Sequence, residues 1–204
     1  MEAVIILLVG LIVWFIWNAQ TTKSRPVNLA VLPERFIVFD FETTGLDSSK
    51  HEIIEIGAIR VNRDSKQHDT FEAMIKISNR IPKRITEITG ISQEMVQDGI
   101  PLPEALEQFR AFVGDLPLVA FNAQFDEGFL RAACAKTDSG HFKNEVCCAL
   151  QLARRAWPGR ESYKLQDLAR DGNLNLAEQH RALGDCQRAM IVYAAAANVV
   201  GTYR

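Results

Sequence analysis

The chain has almost no net charge: 23 Lys and Arg against 25 Asp and Glu leave a formal -2 over 204 residues. That balance excludes a global basic field for attracting nucleic acid, so contact with a polyanion has to be local, through cations or a few basic side chains. Cysteine is also scarce. Cys134, Cys147, Cys148 and Cys186 form no CxxC pair and no zinc-type spacing, so they are assigned no metal or catalytic role. Cys147 and Cys148 sit in an apolar stretch and read as small buried hydrophobes, a pattern that fits a reducing compartment. There is no internal repeat and no low-complexity tract. The length suggests one domain plus an appendage, and 48% hydrophobic residues suffice for a real core.

The appendage is amino-terminal. Residues 3–17, AVIILLVGLIVWFIW, are uncharged and apolar on every side. A helix of that length spans about 22 Å, short of a hydrocarbon core of about 30 Å, and the flanking Met1, Glu2 and Asn18 narrow the gap. Trp14 and Trp17 suit an interfacial belt. A signal peptide would need a basic start and a small-residue cleavage site; here Glu2 is the only charge before the run. The length also permits a buried core helix. The reading preferred is a transmembrane anchor over residues 1–18, with Lys23 and Arg25 placing the remainder in the cytoplasm. Residues 19–34 are polar, contain Pro26 and Pro33, and read as a linker.

From residue 35 onward the pattern is α/β. Residues 35–41, 53–61, 70–77, 117–121 and 145–150 read as strands, the second and third consecutive and antiparallel. Helical spacing marks residues 103–113, 125–135, 164–170 and an Ala-rich stretch at 183–200, with short helical pieces between 82 and 99.

Three segments carry chemistry. Asp40 and Glu42 lie two apart on a strand and share a face, with Phe39 and Phe41 on the other. Clustered carboxylates repel unless a cation lies between them, and hard oxygen donors suit Mg²⁺ or Mn²⁺. Thr43, Thr44 and Gly45 then form a turn able to approach a ligand. Asp126 follows the fourth strand, in the first turn of the next helix, and Asn122 precedes it. Asp185 opens the last helix, with His180 in the loop before it, an imidazole able to take a proton from water. Each alone has a plain reading: a solvated strand end, a residue favoured by the helix dipole, a surface histidine. His51, His68 and His141 keep the surface reading. Together, four carboxylates and one imidazole suffice for a two-metal phosphodiester-cleaving site.

These segments resemble the three motifs of the DnaQ-like DEDDh 3′–5′ exonuclease family. The match runs over residues 35–200, helped by Ile53-Ile54-Glu55-Ile56-Gly57-Ala58, Gly90-Ile91-Ser92 and Leu165 to Leu168. Phe121 departs from it, standing where many relatives have His. The resemblance implies a ribonuclease H-like fold with a mixed five-stranded sheet flanked by helices. It implies that Asp40, Glu42, Asp126 and Asp185 hold two divalent cations and that His180 is the general base. Thr43, Thr44 and Leu46 match positions that contact the terminal nucleotide in relatives, and Phe125 packs near its base. The implied activity is release of nucleoside 5′-monophosphates from 3′ ends of DNA or RNA, single-stranded by preference. Arg154, Arg155, Trp157, Arg160, Tyr163 and Lys164 mix basic and aromatic types suited to a single strand, and equally suit a solvated face. Lys83 and Arg84 are similarly open. The alternatives are a silent binding module of the same fold and an enzyme for short RNA or small nucleotide diesters.

Overall fold

Phe36, Ile37, Val38 and Phe39 make β1 (Arg35–Thr43) apolar on both faces, so it has to lie inside a sheet covered on both sides. The computed structural model describes residues 28–65, 67–172 and 180–204. In it, β1 is the middle strand of a five-stranded mixed sheet of order β3-β2-β1-β4-β5. β2 (Ile53–Asn62) and β3 (Asp69–Met74) pair antiparallel; β4 (Leu118–Ala120) and β5 (Val146–Cys148) run parallel to β1. This is the mixed sheet of a ribonuclease H-like fold.

Helices cover both faces. α1 (Lys83–Thr89) and α2 (Gln93–Gln97) fill the connection after β3. α3 (Leu102–Val113) and α4 (Ala123–Thr137) pack on the face bearing Ile37, Phe39 and Phe41, through Leu106, Phe109 and Leu130. α5 (Ala149–Ala156), α6 (Leu165–Asp171) and α7 (Ala182–Val200) lie on the other side, where Phe36 and Val38 meet Leu152, Ala189 and Tyr193. α7 is the helix most embedded in the core. Its Ala194, Ala195, Ala196 and Ala197 are all buried, and such small side chains let a helix axis approach a sheet closely. Tyr193 meets Phe36 edge-on at 5.5 Å, an aromatic contact beyond plain area burial.

Several expected segments differ in extent; the strand expected over residues 145–150 spans only Val146–Cys148, because Ala149 already begins α5. The strand expected over residues 70–77 ends at Met74: Ile75 forms a parallel bridge with Ile100, and Lys76 N–H donates to the Ile100 carbonyl at 2.8 Å. The end of the expected linker packs on the domain. Leu29–Val31 is a 3-10 turn, Leu32 is buried beside α7, and Asn28 N–H donates to Asn198 Oδ1 at 2.7 Å. The transmembrane anchor expected at residues 1–18 lies outside the described residues; among those described, no helix is long and apolar enough to cross a membrane.

Candidate functional site

Parallel pairing of β1 with β4 brings their carboxyl ends side by side, the edge where α/β sheets gather ligands. Asp40 and Glu42 leave β1 there, on the face turned to α7. A register shift between Glu42 and Thr43 marks a bulge next to them. Asp185 arrives from the first turn of α7. One carboxylate oxygen each from Asp40, Glu42 and Asp185 lies within 4.8 Å of the others. Asp126, in the first turn of α4, is 2% exposed, and its Oδ1 has no hydrogen-bond partner.

The electrostatics are those of a cluster short of positive charge. Burial is the main cause raising the Asp40 carboxyl well above its usual range, and Asp126, Glu42, Asp185 and Glu55 push it further. Glu42 is pushed up to about 8, first by burial and then by Asp185 and Glu55, while Arg181 opposes. Asp126 is pushed up to about 8 by burial, although backbone hydrogen bonds at Phe41 and at its own amide pull the other way. Burial also raises Asp185, opposed by Arg188, whose Nη1 donates to Asp185 Oδ1 at 2.5 Å. Hard oxygen donors gathered as closely as those of Asp40, Glu42 and Asp185 fit Mg²⁺ or Mn²⁺, while Asp126 lies outside that group of three and acts on Asp40 through its charge.

His180 takes the left-handed backbone conformation, φ +56°, just before α7. Its Nε2 lies 2.7 Å from Nε2 of Gln166 on α6, and it is close enough to Asp185 that a proton taken up on the ring would favour the Asp185 carboxylate. Non-glycine residues rarely adopt that conformation, and strain of this kind concentrates at functional sites.

The turn after β1 is organised internally. Thr43 Oγ1 donates to the Gly45 carbonyl at 2.7 Å, and Thr44 Oγ1 accepts the Glu52 N–H at 3.0 Å and lies 3.3 Å from His51 Nδ1. Both threonines are buried, whereas Leu46 at the tip is 86% exposed. His51 is therefore not the surface residue expected: its ring closes on Gly45, where a Cβ would fall 2.5 Å from it. His68 is also half-buried, and His141 is exposed. Asn122 is exposed and caps α4 without a side-chain hydrogen bond; its carbonyl accepts the Phe125 N–H at 2.8 Å. Phe125 is half-buried and tilts against Phe129, ring centres 4.9 Å apart. Phe121 packs with Trp157 near Leu168 and Val192.

The basic and aromatic residues of α5 and of the stretch leading to α6 are largely engaged within the fold. Arg154 lies over the Tyr163 ring at 5.9 Å, the Tyr163 hydroxyl donates to the Trp157 carbonyl at 2.6 Å, and Arg160 pairs with Asp171. Sequence reasoning overlooked Glu55, Gly57, Gln166, Arg181 and Arg188 as site residues. The available signal was Glu55, a lone charge inside the apolar run of residues 53–59.

A ribonuclease H-like sheet with clustered carboxylates at its carboxyl edge defines a nuclease. The model of the exonuclease family typified by RNase T matches residues 37–193, and the chain belongs to that family, among the DnaQ-like exonucleases. It is similar to the PolC-type DNA polymerase III of Halalkalibacterium halodurans, 35% identical over 160 residues, and to that of Thermotoga petrophila, 39% identical over 152. These alignments cover 78% and 74% of this chain but 11% of each polymerase, so the chain spans about a tenth of those relatives. Among solved structures it is similar to exonuclease X in complex with 5′ overhanging duplex DNA. That match has 25% identity and a TM-score of 0.64, and covers 81% of this chain and 93% of that one. The nuclease domain of 3′hExo, a DEDDh family member bound to rAMP, shares the fold at 20% identity and a TM-score of 0.67, covering 78% and 89%.

Proposed function

We propose that this chain is a divalent-cation-dependent 3′–5′ exonuclease that removes nucleoside 5′-monophosphates from single-stranded 3′ ends of DNA or RNA. The observation that carries this reading is the convergence of Asp40, Glu42 and Asp185 within 4.8 Å, beside the orphaned Asp126 oxygen. Cations held there would neutralise the carboxylates and stabilise charge developing on the attacking and leaving oxygens.

The remaining work falls to the chain's own groups. Asp40, Glu42 and Asp185, with Asp126 near them, would hold the cations. His180 accepts a proton from the attacking water at Nε2, exchanging for that water the Gln166 amide that meets Nε2 at 2.7 Å. A new bond forms from phosphorus to the water oxygen as the bond to the 3′ oxygen of the preceding nucleotide breaks, and that oxygen takes a proton from solvent to leave as a 3′-hydroxyl. Leu46, standing out from the turn, offers an apolar surface to the terminal base, and Phe125 flanks it. Likeness to exonuclease X bound to DNA supports polynucleotide ends as substrate, and likeness to the PolC-type polymerases supports a polymerase context.

The test is nucleotide release from a 3′-labelled oligonucleotide with Mg²⁺ or Mn²⁺, repeated with Asp40→Ala and His180→Ala. The wild type should release labelled monophosphate and both variants should lose it; equal activity in all three refutes the reading. A membrane tether over residues 1–18 is a separate proposal that rests on the sequence alone. Recovery of the intact full-length chain wholly in the soluble fraction would argue against it.

A further inference from the structure

Glu55 is 0% exposed, faces α7, and stands directly opposite Glu42 in the β1–β2 ladder. Two carboxylates facing across a ladder destabilise it, and a carboxylate removed from water costs several kcal/mol unless it is paired. Both oxygens of Glu55 are engaged. Arg181 Nε donates to them at 3.0 and 3.2 Å, and Arg181 Nη2 donates to Oε1 at 2.5 Å. The Ala182 N–H donates to Oε2 at 2.9 Å.

Arg181 is the N-cap residue of α7, Ala182 is the first residue of that helix, and the N-cap side chain makes no capping bond. The first free amide of the helix is thus satisfied by a strand 127 residues away. Arg181 also reaches Glu72 on β3 at 3.1 Å, so one guanidinium ties the start of α7 to two strands. His180 immediately precedes this clamp, and Asp185 lies one helical turn beyond it.

We infer that Glu55 and Arg181 are positioning residues of the nuclease site, holding the start of α7 so that Asp185 faces Asp40 and Glu42 with His180 close to Asp185. The inference rests on the exonuclease reading for its catalytic consequence. Glu55 is spent on Arg181 and Ala182, which sets it apart from the four carboxylates assigned to the cations. Its charge also bears on Asp40 and Glu42, so the charge-preserving Arg181→Lys isolates the part exerted through where it holds Asp185.

The experiment compares the full-length wild type with Glu55→Gln and Arg181→Lys. Each is followed by Mn²⁺ titration calorimetry, by kcat and KM on a 3′-labelled oligonucleotide, and by melting in EDTA. Glu55→Gln should melt cooperatively and bind Mn²⁺ about 10- to 100-fold more weakly, as for other residues that orient metal ligands. Its kcat should fall with KM nearly unchanged. Arg181→Lys keeps the charge but loses the two-pronged grip, so it should weaken Mn²⁺ in the same direction; it decides the matter if Glu55→Gln does not fold. Wild-type Mn²⁺ affinity in a folded variant overturns the clamp. A wild type that binds Mn²⁺ but releases no nucleotide overturns the exonuclease reading instead, and the Mn²⁺ comparison still judges the clamp.

Discussion

Asp40 faces Gly57 across the β1–β2 ladder, and the missing side chain at Gly57 is what admits the start of α7 to the carboxylates. A Cβ there would lie 2.6 Å from the Ala182 carbonyl carbon and from the Leu183 nitrogen, both backbone atoms. Gly57→Ala must therefore push the helix outward, taking Asp185 with it. Overpacking of this kind costs about 1–3 kcal/mol. The variant should melt lower than the wild type and need more Mn²⁺ for half-maximal nuclease activity. Unchanged melting and unchanged Mn²⁺ requirement would mean that the α7 backbone does not approach Gly57 this closely.

The carboxylates make stability depend on pH in an unusual direction. Glu42 and Asp126 titrate near pH 8 when folded, against 4.5 and 3.8 ordinarily. Between those limits the folded chain holds protons that the unfolded chain has released, so the cluster's contribution declines as pH rises. It is fully present below about pH 4 and lost above about pH 8. Melting in EDTA should therefore fall from pH 5.5 to 8.5, more steeply than in Glu42→Gln. Mn²⁺ should restore more stability at pH 8.5 than at 5.5, because cations compete with protons for the same oxygens. Identical slopes for wild type and Glu42→Gln would remove the cluster as their cause.

Asp126 should show function and stability opposed. Its buried Oδ1 has no partner, and its charge is the largest electrostatic push on Asp40 after burial. Asp126→Asn removes that charge with little change in shape. The apoprotein should gain stability at pH 8, with each kcal/mol worth about 2–4 °C in melting temperature. Turnover should drop about a hundredfold or more, since a ligand carboxylate carries several kcal/mol of transition-state stabilisation. A variant that melts lower in EDTA and keeps its turnover contradicts both halves.

Legibility from sequence followed the range of the interactions. β1 was readable because Phe, Ile and Val fill residues 36–39, and Asp40 and Glu42 stood out as charges ending that run. The long α7 was readable from its alanines, although its depth in the core was not: that depends on packing against β1 and β2. Glu55 was visible only as an oddity, because its partner Arg181 is 126 residues away. The half-burial of His51 depends on the bare face of Gly45, and the roles of Gln166 and Arg188 depend on where α6 and α7 lie. Local periodicity records none of these long-range facts.

The turn after β1 offers a test that separates scaffold from substrate contact. Thr44 is buried, and its hydroxyl serves the Glu52 amide and the His51 ring. Thr44→Val leaves that amide without its acceptor, a loss of about 1–3 kcal/mol. Leu46 is exposed and has little packing to lose, so Leu46→Ser should leave melting within about 0.5 kcal/mol of wild type. If Leu46 is covered by the terminal base, its removal forfeits about 1.5–3 kcal/mol of apolar burial, and KM for an oligonucleotide should rise about tenfold or more. Thr44→Val should thus lower melting with a small effect on KM, and Leu46→Ser should raise KM without touching melting. Steady-state assays and thermal melts on the two variants check this, and an unchanged KM in Leu46→Ser would take Leu46 out of the substrate site.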